Sequence, residues 1–400
     1  MSISVMSYSE WLLIVPGFYL SAYVLYNFVM IVVHVFAREK SCVDHGEKTH
    51  FAVIVPAHNE ELLLAELLSS IEKQNYPRER FRTIVVADNC TDRTAEIGKS
   101  NGAEVLERND IKHAGKGYAI SYALERIGVE SVEAVFIVDA DSILNSEALE
   151  ELHQAIRRGA RIIQCFNGIA NPDDSWFTRI MDVSRTYGNE VLEPAKEKIG
   201  LSSHLMGNGM CFVRDVIMKY GWDAFTVGED WEYYAKVVIK GERVAYVRRA
   251  RVYHRESVNI RQATSQRLRW SSGRFAVATT HGVRLLMNGL KNCSITKMDA
   301  SMPLLLPNPS LGISLTLLMF FVSIVTAPPT RLELYAGWYG LLGLAQLVFF
   351  LIGIAYVNNK KMKLLAIISA PIFIFWKTGI DLLSVAGVGR KSWVRTERKL

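Results

Sequence analysis

Three stretches of this chain carry no Asp, Glu, Lys or Arg: Trp11–Ala37, Ala300–Thr330 and Leu334–Asn359. Each is longer than the roughly 20 apolar residues that a helix needs to cross a bilayer. Between the first and second, Arg38–Asp299 has the mixed composition of a soluble domain and is long enough to bury one large core. That division excludes a purely soluble protein. With half of all residues hydrophobic, it also excludes a disordered chain, and at this length a small disulfide scaffold. The expected protein is a membrane-anchored catalytic or binding domain.

Charge orders the segments. No Lys or Arg precedes Trp11, whereas Arg38, Lys40 and Lys48 follow the first apolar run. The positive-inside rule then puts the middle domain in the cytoplasm, and the missing basic n-region indicates a retained anchor. The third run ends on Lys360, Lys361 and Lys363 and reads as a return to the inside. A fourth apolar stretch from Leu364 meets Lys377 and Asp381, which points to an interfacial helix. Three crossings are therefore expected, with a fourth as the alternative. Five scattered cysteines without a CxxC pair fit a reducing compartment and give no support to a zinc site. Lys240–Arg284 holds eleven basic residues against Glu242 and Glu256. Its place just before the membrane segments favours anionic lipid or a phosphorylated substrate over nucleic acid.

In the middle domain, short apolar runs end on polar residues. FAVIVP leads to Asn59 and Glu60, TIVVAD ends on Asp88, and AVFIVD ends on Asp139. Helical patterns of ten to fifteen residues separate such runs, which predicts a mainly parallel sheet covered on both faces. Ligands of such sheets bind beyond the carboxyl ends of the strands. PAHNEE has no glycine and no GxxxxGK[ST] loop exists, so neither a dinucleotide fingerprint nor a phosphate loop is present. Carboxylates must do the work instead. Asp139 and Asp141 stand two apart where a buried strand ends, and side chains at i and i+2 share a side, so both can face one Mg2+ or Mn2+; an ordinary solvated turn is the alternative. Asp88 is either a helix cap or a nucleotide contact. Lys116, flanked by glycines, is either a surface lysine or a ligand contact. Glu229 and Asp230 begin a helix, where the dipole favours carboxylates, yet beside a metal one of them suits a general base. QRLRW (Gln266–Trp270) is either a helix snorkelling on lipid or a phosphate contact at Arg269 with a sugar-stacking ring at Trp270.

VIVPAHNE, VVADNCTD, VDADS, GNGMCF, GED and QRLRW stand in this order, and together they resemble the membrane-bound family 2 glycosyltransferases, the group of cellulose, hyaluronan and poly-N-acetylglucosamine synthases. The resemblance covers about Phe51–Trp270. It implies an α/β fold: a nucleotide-diphospho-sugar transferase (GT-A type) domain flanked by transmembrane and interfacial helices. It makes Asp230 the catalytic base and Asp139 and Asp141 the metal pair. Pro56, Asn59, Glu60, Asp88, Lys116, Asp139 and Arg269 become nucleotide-sugar contacts. Gly207, Asn208, Glu229, Gln266, Trp270 and Trp393 become acceptor contacts, Trp393 within the tail SWVRTERK that looks like a loop closing over the donor. Gly228 stands where many synthases have Thr. The implied reaction is inverting transfer from a nucleotide sugar, UDP-linked by expectation, to a growing polysaccharide. Two alternatives stand beside it: one sugar added to a membrane lipid, and a non-catalytic subunit of a polysaccharide export complex. Homo-oligomers or export partners, but no nucleic acid, belong to the same expectation. The organisation is an anchor (1–40), a cytoplasmic transferase domain (41–255), amphipathic interface helices with QRLRW (256–309), two crossings (310–359), and an interfacial helix with a basic tail (360–400), all at the inner or plasma membrane.

Overall fold

A computed structural model describes residues 8–37 and 46–389. The tail with Trp393 lies outside these residues. The strands are β1 (Phe51–Ala57), β2 (Phe81–Asp88), β3 (Glu104–Arg108), β4 (Ala134–Ile137), β5 (Ser142–Leu144), β6 (Ile162–Ile169), β7 (Met210–Val213) and β8 (Val244–His254). The helices are α1 (Tyr8–Phe36), α2 (Leu64–Glu72), α3 (Thr94–Ser100), α4 (Lys116–Arg126), α5 (Ala148–Arg157), α6 (Trp176–Tyr187), α7 (Glu193–Lys198), α8 (Arg214–Tyr220), α9 (Glu229–Ile239), α10 (Ile260–Val277), α11 (Val283–Lys291), α12 (Ile295–Leu305), α13 (Pro309–Thr326), α14 (Leu332–Tyr356), α15 (Lys360–Ala366) and α16 (Ala370–Val385).

The continuous apolar runs are strands buried on both faces, as their lack of alternation requires. Phe51, Val53 and Val55 of β1 pack with Leu64, Leu67 and Leu68 of α2 and Leu152 of α5. Ala52 and Ile54 turn the other way, onto Ala119, Ile120 and Ala123 of α4 and Val237 of α9. One eight-stranded sheet results, in the order β3-β2-β1-β4-β7-β6-β8-β5. Four of its pairings are parallel and three, those of β7 with β4 and β6 and of β5 with β8, are antiparallel. The chain leaves β1 toward β2 on one side and β4 on the other, which opens a crevice beyond their carboxyl ends. Asn59, Asp88 and Asp139 stand at its rim.

Four helices among the described residues are long and apolar enough to cross a membrane: Glu10–Phe36, Pro309–Thr326, Pro329–Tyr356 and Lys360–Val385. The first three match the expected crossings. Length and composition thus admit the fourth segment too, the one read from sequence as interfacial. Its two charges are not left bare: Lys377 and Asp381 pair one helical turn apart. Asp381 also accepts from Ser271 Oγ at 3.0 Å and Asn308 Nδ2 at 3.2 Å. Helices α1, α13 and α14 share a filled core of Leu13, Leu20, Met319, Tyr339 and Leu342. Small residues set their spacing. A Cβ on Gly17 would stand 2.5 Å from the Trp338 ring, and one on Gly312 3.1 Å from Tyr23. Helix α6 docks the soluble domain on this bundle, with the Val183 carbonyl against Gly353 and the Tyr187 ring stacked on Phe349.

Candidate active site

Beyond β1 and β2 the rim is stitched by side chains. Asn59 adopts a left-handed backbone (φ 56°), and its Oδ1 accepts from Thr91 N at 2.7 Å. Glu60 N donates to Thr94 Oγ1 at 2.8 Å, and Pro56, half-buried, lies within the end of β1. Asp88, the last residue of β2, is buried against Arg108, whose Nη1 stands 2.6 Å from its Oδ1. The pair follows from register, since Asp88 and Arg108 are cross-strand partners on β2 and β3. Sequence reasoning missed Arg108, because only the strand register brings it there. Asp88 caps no helix; Asp92 instead accepts from Thr94 N at 3.0 Å at the start of α3.

Strand β4 ends at Ile137, so Asp139 and Asp141 lie in the turn before β5. The side alternation of a strand does not govern them, which corrects the geometric basis for turning both to one ion. The turn is instead held by Asn208. Its Oδ1 accepts from Asp139 N at 3.0 Å and its Nδ2 donates to Ser142 Oγ at 2.9 Å. Asn208 is buried and engaged in holding the turn from Asp139 to Ser142. Lys116, at the start of α4, donates to the Asp139 carboxylate and to the Gly207 carbonyl. Its neighbour Gly117 permits a close approach, but to protein: a Cβ there would meet the Ala224 carbonyl at 2.2 Å.

Gly207 joins this turn to the start of α9. Its backbone is left-handed (φ 79°), and a Cβ on it would lie 3.2 Å from Asp230 Oδ2 and 3.8 Å from Lys116 Nζ. Asp230 Oδ1 accepts from Trp231 N at 2.8 Å. Burial followed by repulsion from Asp230 pushes the Glu229 carboxyl up to about 7, despite the attraction of Lys116. Burial also raises Asp230, outweighing the Trp231 N–H and the charges of Lys116 and His204. Burial opposes the charge on Lys116, yet the carboxylates of Asp139, Glu229 and Asp230 more than offset it and raise its pKa. The His204 ring stacks on Trp231 with centroids 4.8 Å apart, and its Nδ1 is 2.9 Å from Glu193 Oε1. A half-buried carboxyl raised toward neutrality beside a cation is equipped to take and give a proton near pH 7.

Helix α10, capped by Asn259 Oδ1 on Gln262 N at 2.9 Å, carries QRLRW past this point. It approaches α9 backbone to backbone, since a Cβ on Gly228 would sit 2.9 Å from the Gly273 carbonyl carbon. The Gly at 228 is therefore required by close packing, and a Thr there would separate the helices. Gln266 is buried, and Arg269 and Trp270 are half-buried. Trp270 is flanked by two cations, with the Arg267 and Arg185 guanidiniums 4.6 Å and 5.8 Å from its ring centre. The lipid-snorkelling alternative for this helix does not describe these residues.

His254 is a second residue that sequence reasoning missed. It ends β8 opposite Ser142, beside Asp141. Its Nδ1 is 3.1 Å from Asn167 Oδ1. Its Nε2 is buried without a hydrogen bond, the Glu256 carboxylate being 3.7 Å away. Burial, with the Arg185 charge behind it, lowers the imidazole pKa and favours the neutral, metal-ligating form. Among the described residues no group of three or more His, Cys, Asp or Glu could hold a metal unaided. Mg2+ and Mn2+ need none, because they bind through one or two carboxylates and the phosphates of a substrate. The carboxylates Asp139 and Asp141 are of the kind that suits such an ion beside a diphosphate.

Comparison with known proteins bears on the family and the fold. The model of the family described as glycosyltransferase like family 2 matches residues 48–273. A probable glycosyltransferase, YdaM, of Bacillus subtilis is 26% identical over 56% of this chain and 54% of its own length. The 4,4'-diaponeurosporenoate glycosyltransferase of Staphylococcus haemolyticus is 33% identical over 44% of this chain and 47% of its own. The chain thus spans about half the length of the curated relatives it matches. Among solved structures, the mannosyltransferase PcManGT from Pyrobaculum calidifontis, in complex with GDP-Man and Mn2+, superposes with a TM-score of 0.52 at 19% identity, covering 86% of this chain and 98% of that one. That likeness establishes the fold.

Proposed function

Because the chain belongs to glycosyltransferase like family 2, we propose that it moves a sugar from a nucleoside-diphosphate donor, UDP-linked by expectation, to a hydroxyl presented at the cytoplasmic face of a membrane. The observation that carries this reading is the half-buried Glu229–Asp230 pair, with Asp230 facing Gly207 next to the Lys116–Asp139 contact. Asp230 takes the proton of the acceptor hydroxyl as that oxygen attacks the anomeric carbon. The bond to the nucleoside diphosphate breaks, and its electrons leave with the phosphate oxygen. Attack from the side opposite the leaving group inverts the anomeric centre. A divalent ion, when bound, supplies charge neutralisation for that diphosphate. Arg269 and Lys116 are suited to hold its oxygens, Asp88 the nucleoside, and Gln266 and Trp270 the acceptor. Asp141→Asn is expected to weaken Mg2+- or Mn2+-dependent donor binding by more than the roughly tenfold that outer ligands contribute. Calorimetric titration of donor with and without metal checks this, and an unchanged metal dependence refutes the assignment.

Of the two acceptors open from sequence, the packing supports a membrane lipid over a growing polysaccharide. The contact faces of α1, α13 and α14 are filled by side chains, and Gly17 and Gly312 bring the helices close. The orientation rests on the basic flank at Arg38, Lys40 and Lys48. The purified chain, given a panel of nucleotide sugars and a membrane lipid extract, is expected to add one sugar per acceptor. A ladder of products returns the reading to polysaccharide synthesis. Absence of both transfer and donor hydrolysis with every nucleotide sugar returns it to a non-catalytic subunit.

A further inference from the structure

Arg185 has no role in the reaction described above, yet it is a half-buried cation at the edge of that site. It lies in the last turn of α6, a helix started by the reciprocal Ser175–Thr178 capping box. Val183 and Tyr187 face the membrane helix α14. Two residues from either, Arg185 points away from α14 toward α10, 5.8 Å from the Trp270 ring centre. Its Nε is buried without a hydrogen bond. Among the described residues no carboxylate lies within ion-pair range of it. The nearby Glu256 is already engaged by Arg267, which packs on the same indole. Burial and the like charge of Arg267 lower the Arg185 pKa to about 10. Two guanidiniums thus share one carboxylate, and one unit of positive charge is left over in a partly desolvated place. Such a charge is costly unless something negative meets it.

We propose that Arg185 receives an anionic oxygen of the acceptor, a phosphate or carboxylate, so that the preferred acceptor is an acidic membrane molecule seated against Trp270. This rests on the lipid-acceptor reading above and names its chemistry. The planar fork of a guanidinium suits both kinds of oxyanion. The element that carries Arg185 favours the acceptor over the donor as the source of that anion. Of the groups suited to the diphosphate, Lys116 and Asp139 meet beyond β4 at the start of α4 and Arg269 lies on α10. Arg185 lies on α6, the helix resting on α14, along which a molecule lodged in the bilayer presents its head. The anion is not the reacting group; it holds the head so that a hydroxyl of the same molecule reaches Asp230.

The full chain in lipid nanodiscs, with its active nucleotide sugar, would be offered two pairs of acceptors. Phosphatidylglycerol and diacylglycerol both carry hydroxyls, but only the first has a phosphate. A hydroxy fatty acid and its methyl ester differ only in the carboxylate charge. At least one acidic member is expected to exceed its neutral counterpart tenfold or more in kcat/KM, and the pair that responds identifies the anion. In Arg185→Gln that preference should collapse through a rise of tenfold or more in acceptor KM, with donor KM within twofold of wild type. Arg185→Lys, which keeps the charge, should retain part of it and covers the case in which the Gln variant does not fold. Equal use of acidic and neutral acceptors overturns the proposal, as does transfer to none of the four while the donor is still hydrolysed. A rise in donor KM in the Gln variant assigns Arg185 to the diphosphate instead. Failure to hydrolyse any nucleotide sugar would strike at the transferase reading itself, not at this inference.

Discussion

Asp230→Asn is expected to lower kcat by roughly 10²–10⁴-fold, the usual worth of a general base, while donor affinity stays close to wild type. The amide keeps the size and the Trp231 hydrogen bond of the carboxylate, and removes only the capacity to accept a proton. Wild-type kcat/KM should also fall as pH drops through neutrality, because burial has raised both Glu229, to about 7, and Asp230, and protonation disables the base. An ordinary surface carboxylate would stay ionised to well below pH 5. Single-turnover rates across pH 5.5–8.5, roughly the range over which such groups titrate, read the effect. If Asp230→Asn lost donor binding but kept its rate per bound complex, Asp230 would be a structural helix-start residue and Glu229 the next candidate.

The second large effect concerns Arg108. Replacing it with Met leaves the Asp88 carboxylate buried and uncompensated, a defect that costs about 3–5 kcal/mol when one partner of a buried pair is removed. A marked fall in thermal midpoint is expected. The double variant Asp88→Asn, Arg108→Met should recover part of it, because no charge is then stranded. Stability unchanged by Arg108→Met would mean that solvent reaches Asp88 freely and that the pair is incidental. Donor affinity in the double variant separately reports whether Asp88 contacts the nucleoside.

Why Asp88 was legible and Arg108 was not says what a sequence holds. Runs such as FAVIVP, TIVVAD and AVFIVD announce strands buried on both faces, and the residue that ends each run lands in the crevice by topology alone. Arg108, His254 and Arg185 lie 20, 113 and 44 positions from Asp88, Asp141 and Asp141, respectively, and reach the site through cross-strand register or helix docking, which no local pattern encodes. Strand β7, MCFV, is four residues long and runs antiparallel between β4 and β6; the motif around it was legible, its direction was not. Motif order names Asn208 but does not show that it holds the turn from Asp139 to Ser142, which only the fold brings together. The Lys377–Asp381 pair shows the same limit in the membrane segments. Read singly, the two charges argue against a crossing; paired one turn apart and bonded to α10, they do not.

The Gly228–Gly273 approach ties the helix bearing Asp230 to the helix bearing Trp270 with no side chain between them. Helix α10 is in turn fastened to α16 through Ser271, and by Ser272 to the Val388 carbonyl just beyond it. Asp230, the Trp270 indole and α16 are therefore carried on one connected bracket. On the proposed function, with Asp230 as base and α16 at the membrane, that bracket fixes the height of the base above the lipid surface, and such a transferase would select by depth. Among several hydroxyls on one anchored head group, it would glycosylate the one that floats at the height of its base and pass over chemically equal neighbours a few ångströms above or below.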